Sequence, residues 1–216
     1  MKIHEGLPIL RGGADFDNAS AAIVLVHGRG GSAEDMMGLG EELIAGAAGV
    51  ALLAPQAAGG TWYPQRFLAP LEQNEPHLSS ALGVVGAAIE SLAARSIPRE
   101  RVLLVGFSQG ACLALEFAAR NPARFGGVVG LSGALIGPAG IERELGGSLQ
   151  GVPVFLGCGD LDSHIPVAGV RESAAVFRKL GADVTECIYP RMPHTVNEDE
   201  IATVRTLVKR VAAAGG

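Results

Sequence analysis

Arg101-Val102-Leu103-Leu104-Val105 runs directly into Gly106-Phe107-Ser108-Gln109-Gly110, and Ala111-Cys112-Leu113-Ala114-Leu115 follows. Val102 to Val105 form a continuous apolar run, which predicts a strand buried on both faces. The alanine-rich stretch predicts a helix from Ala111 to Ala119, ending before Asn121-Pro122. A serine between such a strand and such a helix sits on a tight turn with its hydroxyl above the sheet edge. Gly106 and Gly110 let strand and helix pass close beside it, and the helix N-terminus favours negative charge developing nearby. In this context G-x-S-x-G reads as a nucleophile turn rather than a plain corner.

Outward from this turn, apolar runs alternate with helix-like stretches, the signature of βαβ units and a mainly parallel sheet. Strands are expected at Ala21–Val26, Val50–Ala54, Gly127–Leu131, Val152–Gly157 and Asp183–Tyr189. Helices are expected from Ala33, capped by Ser32, to Ala45, and over Leu78–Ala94, Val167–Leu180 and Asn197–Ala213. The fold class is therefore α/β, with helices on both faces of the sheet. A length of 216 residues suits one domain over residues 1–216. The stretch from Ser132 to Gly151 is glycine-rich and too short for a helical lid domain. Gln56 to His77 is a long loop holding Trp62, the sole tryptophan, and loops of that length usually carry function.

A serine needs a base oriented by a carboxylate. In strand–turn–helix hydrolases the order is serine, acid, histidine, each at a strand's carboxyl end. After Ser108 the histidines are His164 and His194. His194 follows the last expected strand across Pro190-Arg191-Met192-Pro193, where such a base belongs, whereas His164 lies within the acid loop. That loop, Gly159-Asp160-Leu161-Asp162, offers two aspartates. An oxyanion hole needs two backbone N–H donors: one is that of Gln109, and the other falls in His27-Gly28-Arg29-Gly30-Gly31-Ser32. This glycine-rich loop lacks nucleotide-binding spacings.

Taken together, His27-Gly28-x-Gly30, Gly106-x-Ser108-x-Gly110, Gly159-x-x-Asp162-x-x-Ile165-Pro166 and Met192-x-His194 resemble the phospholipase/carboxylesterase family of α/β-hydrolases. That family includes bacterial carboxylesterases and acyl-protein thioesterases and is related to dienelactone hydrolases. The resemblance runs from His27 to His194. It implies a single-domain α/β-hydrolase with Ser108, Asp162 and His194 as triad and Arg29 as the second oxyanion donor. Three positions depart from the family pattern: Cys158 replaces a histidine, Pro193 often a glycine, and Arg29 the leucine usual in the thioesterases. Dienelactone hydrolases use a cysteine where this chain has Ser108.

The expected function is a serine carboxylesterase acting on small, short-acyl esters. Acyl-protein thioesterase or lysophospholipase-like activity is the alternative, and a non-catalytic ligand-binding role the minor one. Trp62, Phe67 and Leu68, on the long loop, are expected to form the substrate wall. No cofactor or metal is expected: Cys112, Cys158 and Cys187 are widely spaced and form no CxxC pair. A formal net charge of −5 without a basic run gives no footprint for nucleic acid. No window is long and apolar enough for a membrane span, and the N-terminus lacks a signal-peptide core. A cytoplasmic protein with a small-molecule ester as partner is expected, and a homodimer is compatible with the sequence.

Overall fold

The computed structural model describes residues 2–213. Seven strands form one sheet: β1 (Ile9–Gly13), β2 (Ala21–Val26), β3 (Val50–Pro55), β4 (Val102–Phe107), β5 (Gly127–Leu131), β6 (Pro153–Gly159) and β7 (Asp183–Tyr189). Five α-helices accompany them: α1 (Ala33–Leu43), α2 (His77–Ala93), α3 (Gln109–Arg120), α4 (Val167–Lys179) and α5 (Glu198–Ala213). The spatial order is β1-β3-β2-β4-β5-β6-β7, with β1 antiparallel to β3 and every other pair parallel. This is a single-domain α/β-hydrolase fold.

The two-residue period of the strands sorts each apolar run onto both faces. Ala22, Val24 and Val26 of β2 join one core with Val102 and Leu104 of β4, beneath α2, α3 and α4. Ala21, Ile23 and Leu25 join a second core with Leu103 and Val105, beneath α1 and α5. A strand exposed on one face could not have held such a run. Ser32 caps α1 as the sequence suggests: its hydroxyl accepts the Asp35 N–H at 3.2 Å, and the Asp35 carboxylate accepts the Ser32 N–H at 2.8 Å.

Two differences from the sequence reading bear on the site. Helix α3 begins at Gln109, immediately after the serine, rather than at Ala111. The segment from 56 to 76 contains two short 3-10 turns, Ala58–Gly60 and Leu71–Asn74, and is largely packed down. Between β5 and β6 the chain runs without a helix or strand. It is held through Glu116 of α3, which accepts the Ile136 N–H at 2.9 Å and pairs with Arg120 and Arg143.

Candidate active site

The carboxyl ends of β2, β4, β6 and β7 converge on one edge of the sheet, the usual place for a site in a parallel α/β protein. Ser108 links β4 to α3 with φ 55° and ψ −120°, a left-handed conformation that costs any residue with a Cβ. The turn is tight because it has no spare volume. A Cβ at Gly106 would collide with the Gly110 backbone, and one at Gly110 with the Val26 and His27 carbonyls. The Ser108 N–H donates to Leu131 O of β5 at 2.9 Å, and its carbonyl accepts the Cys112 N–H at 3.0 Å. Main-chain bonds on both sides thus hold the strained serine.

His194 lies 2.8 Å from Ser108 Oγ through Nε2 and 2.6 Å from Asp162 Oδ2 through Nδ1. An ionised carboxylate only accepts, so Nδ1 carries the proton and Nε2 is free to accept from the serine hydroxyl. The Asp162 side chain is fully buried. Burial pushes its pKa up, but hydrogen bonds from His194 and from the Ile165 and His164 N–H groups outweigh this and hold it below the ordinary range. Cys158 adds a weak S–H donor at 3.6 Å from Asp162 Oδ2. Burial, reinforced by that carboxylate, pushes the Cys158 thiol up to about 12, so it remains protonated.

The loops that carry Asp162 and His194 are stapled to each other. The Asp160 N–H donates to Tyr189 O at 3.0 Å, and the Leu161 N–H to Met192 O at 3.1 Å. Asp160 Oδ1 accepts the N–H of Arg191, a residue with φ 59°, at 2.6 Å. Of the two aspartates, Asp162 reaches the imidazole and Asp160 holds the turn that carries it. His164, the second candidate base, packs its ring 4.7 Å from that of His194, and Phe107 lies 5.1 Å away.

Gly28 lies two residues past the end of β2, and a Cβ there would lie 3.2 Å from Ser108 Cβ, which sets the Arg29 loop against Ser108. Among the described residues, neither the Arg29 nor the Gln109 N–H has a protein acceptor. Their side chains fix the opposite wall. Arg29 donates to Tyr63 O at 2.8 Å and Gln65 O at 2.7 Å. Gln109 donates to Tyr63 O at 2.8 Å and accepts the Trp62 N–H at 3.0 Å.

A cavity of about 290 Å³ opens over Ser108, lined by Arg29, Gln109, Phe107, His164 and His194 and by Tyr63, Gln65, Arg66 and Phe67 of the long loop. The expected wall needs two corrections. Trp62 is fully buried and is not part of the lining. Its indole N–H donates to His27 O at 2.8 Å, and its ring packs near His4 and His27, with centroids 5.5 and 4.9 Å away. Leu68 faces a neighbouring cavity, and Phe67 lines both. Tyr63 and Arg66 line the cavity although apolar character, the signal for Trp62, Phe67 and Leu68 in this loop, does not single them out. Among the described residues, no cluster of three or more His, Cys, Asp or Glu could hold a metal ion, and no helix is long and apolar enough to cross a membrane.

Comparison with known proteins agrees with this architecture. The sequence pattern described as Phospholipase/Carboxylesterase matches residues 14–212. The crystal structure of a phospholipase/carboxylesterase from Dyadobacter fermentans is similar at 39% identity and a TM-score of 0.90, over 96% of this chain and 98% of that one. Acyl-protein thioesterase 1 of Debaryomyces hansenii is 24% identical over 95% of this chain and 97% of its own length. The Saccharomyces cerevisiae protein of that name is 30% identical over 54% of this chain, a match spanning about half (52%) of that relative. The fold and the family pattern, which spans nearly the whole chain, lead to one conclusion: the chain belongs to the phospholipase/carboxylesterase family, a family of carboxylic ester hydrolases.

Proposed function

We propose that the protein is a serine carboxylesterase that hydrolyses small, short-acyl carboxylic esters through an acyl-enzyme on Ser108. The observation that carries this is the unbroken line from Asp162 through His194 to Ser108 Oγ. In this reading Ser108 Oγ attacks the ester carbonyl and its proton passes to His194 Nε2. Asp162 stabilises the imidazolium without taking the proton. The carbonyl oxygen, now negative, lies between the Arg29 and Gln109 N–H groups. Collapse expels the alcohol, which takes the proton from His194, and leaves the acyl group on Ser108. Water then enters and attacks the acyl carbonyl as it loses a proton to His194; the acyl–Oγ bond breaks, Ser108 Oγ takes that proton back from His194, and the acid is released. No step calls for a cofactor, and the reading places the enzyme in the cytoplasm.

The short-acyl preference rests on the cavity's size and on the absence of a helical cover between β5 and β6. The thioesterase and lysophospholipase-like alternative draws on the names of the relatives. Comparing p-nitrophenyl acetate with a palmitoyl thioester separates the two.

Replacing Ser108 with Ala tests the central assignment. Triad members act as a unit, so turnover should fall by on the order of 10⁶ while the fold persists. A folded variant keeping a tenth of the activity would overturn the assignment. A protein that only binds its ligand would escape labelling by a fluorophosphonate.

A further inference from the structure

The cavity over Ser108 carries charge of one sign. Its lining includes the cations Arg29 and Arg66 and no aspartate or glutamate, although the chain as a whole has a formal net charge of −5 with its histidines neutral. The carboxylates just behind it are already engaged. Asp162 is held by His194 and two N–H groups. Glu116, one turn beyond Cys112 on α3, is paired with both Arg120 and Arg143. Tyr63 and Cys112, which also line the cavity, contribute no negative charge. Burial pushes Cys112 up to about 12 and Tyr63 well above its ordinary value.

The two arginines differ. Arg29 turns its Nη2 to the carbonyls of Tyr63 and Gln65, neutral acceptors that hold the guanidinium without cancelling its charge. Arg66 is exposed, and among the described residues its side chain has neither an ion pair nor a hydrogen bond. An exposed arginine is ordinarily just solvated. This one, however, stands on a main chain fixed from several directions. The Gln65 N–H donates to Oδ1 of the fully buried Asn74 at 2.8 Å, and Arg66 O accepts the Ala69 N–H at 3.0 Å. A guanidinium presented by a pinned loop loses less freedom on binding. Its planar fork matches a carboxylate or phosphate.

We propose that the cavity selects esters bearing a second, anionic group, a carboxylate or a phosphate, which Arg66 receives while Arg29 adds a favourable field. This inference rests on the hydrolase reading above. It narrows the substrate class from small esters in general to small acidic ones.

The test uses matched pairs on the full-length protein. The acyl-side pair is p-nitrophenyl hydrogen glutarate and p-nitrophenyl valerate. The alcohol-side pair is 4-acetoxybenzoate and its methyl ester, and 4-acetoxyphenyl phosphate replaces the carboxylate by phosphate. In at least one arm the anionic ester should show kcat/KM about tenfold above its neutral partner, and the favoured arm identifies the side and the anion. Arg66→Gln should lower kcat/KM for that anionic ester about tenfold more than for the neutral one, chiefly through KM, and high salt should shrink the preference. No preference in any arm, or a preference that survives Arg66→Gln, would overturn the proposal. Neutral esters hydrolysed through Ser108 without anionic preference would leave the hydrolase reading standing and sink this one alone. No turnover, together with no fluorophosphonate labelling, would sink both.

Discussion

The carboxylate of Asp160 accepts a backbone N–H from Arg191, whereas that of Asp162 accepts the proton on His194 Nδ1, both at 2.6 Å. Replacement by asparagine should therefore have different consequences at the two positions. Asp162→Asn can present an amide N–H to the imidazole and impose the wrong tautomer, so turnover should fall by about 10⁴ with the fold retained. Asp160→Asn keeps an acceptor of lower charge for Arg191. It should cost about 1 kcal/mol of stability and far less turnover. Steady-state kinetics and thermal unfolding on the two variants check this, and a larger loss of turnover in Asp160→Asn would reverse the roles. From the sequence, both aspartates remained open on the residues alone, because a spacing of two on a loop does not say which side chain turns inward. That choice is made by the Ile165 and His164 N–H groups, which clamp only Asp162.

At the scale of elements, the segment between β3 and α2 depends on two imidazoles. His4 Nε2–H donates to Trp62 O at 2.9 Å while Nδ1 accepts the Ala58 N–H at 3.1 Å. His27 Nδ1–H donates to Gly28 O at 2.7 Å while Nε2 accepts the Ala57 N–H at 3.0 Å. Only a neutral ring can both donate and accept, and burial lowers both pKa values from the ordinary 6.5. The unfolded chain therefore takes up these protons first, and the stability they lend is full above 6.5 and declines as pH falls. Buried Glu200 acts with the opposite sign. Burial pushes it up from 4.5 to about 7, so it erodes stability as pH rises through that window. In a Glu200→Gln background the urea midpoint should then climb steadily from acidic to neutral pH; a falling midpoint would contradict neutral imidazoles. Element legibility followed the same division between local and distant causes. β2, β4 and β5 could be read because their apolar runs are continuous. β1 could not: Ile9-Leu10-Arg11-Gly12-Gly13 alternates between exposed and half-buried, and it exists as a strand only because β3 offers it an antiparallel edge. The burial of Trp62 was equally invisible, since His4 and His27 come from distant points in the chain.

For the molecule as a whole, the proposed esterase reading makes the size of the cavity the limit on the acyl chain. Each methylene adds about 0.8 kcal/mol only while there is wall to bury it against. Across p-nitrophenyl esters from acetate to palmitate, kcat/KM should therefore peak near butyrate. An optimum at laurate or longer would favour the lipid-directed alternative. The turn at Ser108 has a second, quite separate consequence. Its left-handed backbone burdens the folded state by roughly 1–3 kcal/mol, so the molecule is less heat-resistant than its framework permits. Ser108→Gly would shed that burden, less about 0.4–1 kcal/mol for the looser unfolded chain. At about 2–4 °C per kcal/mol for a domain of this size, the inactive glycine variant should outlast the wild type on heating by a few degrees. Ser108→Ala, which keeps the Cβ, should gain no such margin. Calorimetry on the pair would thus measure how much thermal endurance the chain gives up to hold Ser108 in this turn.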